Sequence, residues 1–135
     1  MSWSQSLIRI ATYEVETRQK QLAEIATRRA DAETRLALLH AEGEAEAERA
    51  RQDASAGWYH IGFMDGLRIR KTMVQAQIDA LVQEEAGARE ILSRAFEDQK
   101  KYEQIAESAR VLELKQTAKR ESADLDELGL RRAAR

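Results

Sequence analysis

The chain has 135 residues, at most one domain, and Ala, Glu, Lys, Leu and Arg supply 75 of them, a composition of long helices or coiled coils. Its 22 basic and 24 acidic residues are interleaved to a net charge of −2, which argues against the clustered basic face of a nucleic-acid binder. Proline and cysteine are both absent, so no ring interrupts a helix and no disulfide or thiolate metal site forms.

Seven aromatic residues against 23 alanines fill a thin seam between helices rather than a thick core. The opening residues Met1 to Arg9 hold no apolar stretch of signal-peptide length. Apolar runs reach about four residues, whereas a membrane span needs roughly 18 or more. A soluble chain without membrane insertion is the expectation.

Ser2 or Ser4 is placed to cap a first helix, with Gln5 three residues after Ser2. A 3-4 spaced series then runs Ile8, Ala11, Val15, Arg18, Leu22, Ile25, Arg29, Ala32, Leu36, Leu39, Gly43. Eight of these eleven are Ile, Leu, Val or Ala, a heptad stripe that predicts a helix over about 4–53. From Gly43 to Gln52 the stripe fades into alternating alanine and charge, the pattern of a solvated helical arm.

A tip is expected over about 54–60, with the helix breaking near Gly57. Trp58, Tyr59 and Phe63 cluster there, and two readings stand: a local cap over the turn, or an anchor for a partner. Gly62 and Gly66, four apart, would allow a helix to approach closely, although glycine near a turn is ordinary.

The second helix is expected over about 61–130. Its stripe is Met64, Leu67, Lys71, Val74, Ile78, Leu81, Glu85, Ala88, Leu92, Ala95, Gln99, Tyr102, Ala106, Ala109. Folding the chain back near Gly57 pairs positions whose numbers sum to about 114. Leu36 then meets Ile78, Leu22 meets Leu92, and Arg29 faces Glu85. The fold class is all-α, a long two-helix antiparallel coiled-coil hairpin with an overhanging C-terminal helix.

Helix 1 is exhausted at Trp3, which is expected to pack at the open end, opposite about Val111. Residues 112–135 therefore lack an intramolecular partner. Leu114, Ala118, Leu125 and Leu128 keep helical spacing there, so the tail either docks on a partner or frays. Arg131, Arg132 and Arg135 suit an acidic partner or the negative end of the helix dipole.

Catalysis has little material. His40 and His60 are the only histidines, and neither has a second histidine, cysteine or serine at ligand spacing. Paired glutamates such as Glu84 and Glu85 are adjacent and point to different faces. No catalytic, cofactor or metal residues, and no small-molecule substrate, are expected.

Leu7-Ile8-Arg9-Ile10-Ala11 opens a Gln/Glu/Arg-rich helix, and Trp58-Tyr59 through Phe63 and Leu67 begin the second. Lys100-Lys101-Tyr102-Glu103 lies in a long Gln/Glu/Lys helix, and Leu125-Asp126-Glu127-Leu128 precedes a basic end. In these features the plan of the chain resembles the FliJ family, small coiled-coil components of the bacterial flagellar type III export apparatus. Gly62 and Gly66 depart from the pattern.

The resemblance implies a non-enzymatic cytoplasmic adaptor, peripheral at the cytoplasmic face of the inner membrane and largely monomeric alone. Its partners would be the hexameric export ATPase, an export gate protein and substrate chaperones. Phe63 and Leu67 fit the family's gate-facing apolar positions. The overhang would suit a stalk entering a ring. The competing readings are an architectural, self-associating coiled coil and the equivalent stalk of a virulence-type secretion system.

Overall fold

The computed structural model describes residues 2–53, 55 and 57–134. Two helices, α1 (Trp3–Gln52) and α2 (Gly57–Ala134), form an all-α helical hairpin, with no strand among the described residues. Ser2 starts α1 through a reciprocal capping box. Its amide donates to Gln5 Oε1 at 3.1 Å, and the Gln5 amide donates to Ser2 Oγ at 3.3 Å.

The break between the helices owes nothing to a left-handed glycine, since no described residue has positive φ. Asp53 Oδ1 instead accepts the Ser55 amide at 3.0 Å and the Ser55 hydroxyl at 2.7 Å. Such local bonds compete with the helical ladder and stop α1. They also hold the Asp53 carboxyl below the usual carboxylate range, the Ser55 hydroxyl being the larger cause. The expected tip of about 54–60 is therefore too long. Gly57 already opens α2, and Trp58, Tyr59 and His60 stand in its first turns.

The chain forms two compact units, residues 17–93 and residues 1–16 with 94–135. In the first, Ile25, Ala32, Leu67 and Ile78 are buried. The stripe read from the sequence is the seam. All eleven helix-1 positions from Ile8 to Gly43 are buried or half-buried, as are the helix-2 positions from Met64 to Ala106. Along one flank of the first unit Arg28 pairs with Glu84 at 2.7 Å, and Arg35 donates to Gln77 at 3.2 Å.

At Gly43 the two helices approach closely. A Cβ there would stand 2.7 Å from Leu67 Cδ2. At Gly62 and Gly66 nothing lies within 4 Å of such an atom. The close approach belongs to Gly43, not to the glycine pair in α2.

In the second unit Ala11, Val15 and Ala95 are buried, and Gln99 Nε2 donates to Thr12 Oγ1 at 3.1 Å. Trp3 lines a groove with Ile8, Ala106 and Ala109 at the end of α1 and stays 63% exposed. Beyond Ala106 every described residue to Ala134 is exposed, and α2 remains helical throughout.

Candidate partner-binding surfaces

The first turns of α2 carry an exposed aromatic pair. Trp58 is 78% exposed, and its ring meets that of Tyr59 at a centroid distance of 4.5 Å and an interplanar angle of 42°. The two rings rest on each other and leave most of their area to solvent. Such rings offer large apolar area with a polar tip, the pattern of an interface anchor. Ile61 is exposed beside them, and Phe63 is half-buried.

Leu67 is different. It is fully buried against the Gly43 backbone, with no surface to offer. Leu67 therefore does not stand on the gate-facing surface expected of it: it occupies a seam position, and the seam covers it.

Further along α2, Ile69 and Met73 are also exposed. Met73 lines an apolar groove with Leu38, Leu39 and Val74, bordered by Arg35 and Arg70. Leu39 and Val74 belong to the heptad stripes, whereas Leu38, Ile69 and Met73 are apolar side chains lying off them, and that is the signal in the sequence that marks this groove.

The tail holds the remaining candidates. Leu125 is 69% and Leu128 50% exposed. Arg131 Nη2 reaches Glu127 at 3.0 Å one turn back, and Arg132 is exposed. Arg135 lies outside the described residues. Near the start of the tail, Arg110 donates to Glu107 and lowers that carboxyl, first through the side-chain hydrogen bond and then through charge.

Among the described residues no group of three His, Cys, Asp or Glu is placed to hold a metal ion. His40 is exposed, and His60 is half-buried with Nδ1 unpartnered. Among the described residues no helix is long and apolar enough to cross a membrane.

Two curated relatives match the sequence along almost its whole length. The flagellar FliJ proteins from two strains of Caulobacter vibrioides are each 54% identical over 132 residues, covering 98% of this chain and 95% of the relative. The chain belongs to the FliJ family. That membership makes it a flagellar export-related protein. No family model matches the chain, and no solved structure matches it. The FliJ relationship therefore stands on sequence identity.

Proposed function

We propose that this FliJ-family chain is a non-enzymatic stalk and adaptor of the bacterial flagellar type III export apparatus. Its tail engages the hexameric export ATPase, and the tip aromatics link that ring to the export gate and to substrate chaperones. The chain acts from the cytoplasm, peripheral at the inner face of the membrane. The observation that carries this reading is the tail, in which a helix with no intramolecular cover presents Leu125, Leu128, Arg131 and Arg132 to solvent. A helix that keeps an apolar row without burying it is built to bury it on something else.

Trp58, Tyr59 and Phe63 form the second contact in this reading. Leu67 supports them from the seam without touching the partner. Descent shared with flagellar FliJ proteins favours the flagellar apparatus over a virulence-type system.

The test measures hydrolysis and ring assembly of the export ATPase from the same organism, with and without this protein. Stimulation at substoichiometric ratios, lost on deleting residues 112–135, is the expected result. No binding and no stimulation would overturn the reading and leave an architectural coiled coil as the better account.

A further inference from the structure

The two arms beyond Gly43 are built from opposite kinds of residue. On α1, residues 44–52 are Glu, Ala, Arg and Gln throughout, all strong helix formers. Arg49 reaches Glu46 at 3.2 Å and Arg51 pairs with Glu48, each across one turn. Both arginines also stand at the negative end of the helix dipole. On α2, Gly57–Gly66 holds three of the chain's six glycines, and Met64 is its one strong helix former. Its first turn carries no acid, and its one ion pair, from Asp65, reaches out to Arg68.

Those glycines have no packing reason. A Cβ at Gly57, Gly62 or Gly66 would meet nothing within 4 Å, and no described residue has positive φ. What remains is their effect on the helix, since each glycine moves the balance from helix toward coil by roughly fivefold relative to alanine. Burial does little to oppose that bias. Between Gly43 and Leu67 no described residue is buried, and the half-buried ones on α1 are only Glu46, Ala47 and Ala50. His60 Nδ1 is shut from solvent without a hydrogen-bond partner, a cost that unwinding relieves. Full burial resumes at Leu67, which is covered against Gly43.

We propose that Gly57–Gly66 unwinds as one unit while residues 44–52 of α1 stay helical, and that Leu67 is where the unwinding stops. Segments that open on their own are those with few buried apolar contacts, and this one also has a weak helix of its own. Trp58, Tyr59 and Phe63 ride on it, so the aromatic surface of the tip is intact only in the wound state. This inference goes beyond the adaptor reading and does not depend on it.

Native-state hydrogen exchange of the full chain, read residue by residue by NMR, tests the proposal. The first four amides of a helix have no intrahelical acceptor, so the informative ones are those of residues 61–66. Relative to unfolded-chain rates they should exchange about a hundredfold faster than the amides of residues 72–92. The amides of residues 44–49 should stay at least tenfold better protected than those of 61–66. Gly62→Ala and Gly66→Ala should each slow exchange over 61–66 by roughly fivefold. Amides of 61–66 as well protected as those of 72–92 would overturn the proposal. So would exchange that the alanines leave unmoved, and so would residues 44–49 opening in step with 61–66.

Discussion

Arg29 of α1 grips Glu85 of α2 with two hydrogen bonds, from Nε to Oε2 at 2.5 Å and from Nη2 to Oε1 at 3.4 Å. Glu85 is a buried carboxylate in an otherwise mostly apolar seam. Arg89 reaches its Oε1 at 2.8 Å, and Glu33 takes Arg29 Nη1 at 2.9 Å. A polar layer of this kind fixes register, because any slip leaves the carboxylate buried among aliphatic side chains. Removing one member should cost more than removing both. Glu85→Ala should lower the melting temperature by several degrees, while the double change Arg29→Leu with Glu85→Leu should restore or exceed the wild-type value. Thermal unfolding followed by circular dichroism measures both, and equal losses would contradict the argument.

The same pair sets a pH dependence. The hydrogen bond from Arg29 is the main cause that lowers the Glu85 pKa from its usual 4.5, opposed by burial and assisted by the charges of Arg29 and Arg89. The carboxyl therefore binds protons more weakly in the folded chain than in the unfolded one. Its contribution is full above about pH 4.5 and is lost as pH falls through the lower folded value. Glu85→Gln should unfold at lower temperature than wild type at neutral pH, and the gap should close under acid titration. A gap that is constant down to the acid limit would show that Glu85 is not the titrating group.

Glycine positions divide by what surrounds them. Gly62 sits on an open helix surface, so Gly62→Ala should raise stability by about 0.5–1 kcal/mol through backbone entropy. At Gly43 the added carbon meets fully buried Leu67, so alanine should gain less there. Gly43→Val should lose about 1–3 kcal/mol through overpacking. Urea unfolding of the three variants ranks them, and equal gains at both sites would show that the seam is loose at Gly43.

The seam was legible in the sequence, and its Arg29–Glu85 layer followed from one register rule, because antiparallel pairing links residue numbers by a fixed sum. The turn was less legible. Gly57 drew the eye as a breaker, whereas the bonds that end α1 come from Asp53 and Ser55, whose side chains compete with the backbone only once the chain bends. The candidate surfaces were legible as composition but not as exposure. Phe63 and Leu67 look alike in sequence, and a helix turns the one half outward and the other wholly inward.

That difference gives a way to separate folding from binding at the start of α2. Trp58 is so exposed that Trp58→Ala should change stability by no more than about 0.5 kcal/mol. Its truncation should still weaken binding to the tip's partner at least tenfold, the size expected of an aromatic anchor. Leu67→Ala should lose about 2–5 kcal/mol by opening a cavity in the seam, and any binding defect should follow that loss. Gate binding by titration calorimetry, read beside the unfolding curves, distinguishes the two. If Trp58→Ala binds like wild type, the exposed ring pair is not an anchor. If Leu67→Ala loses binding while its melting curve is unchanged, Leu67 contacts the partner directly and the seam must open to admit it.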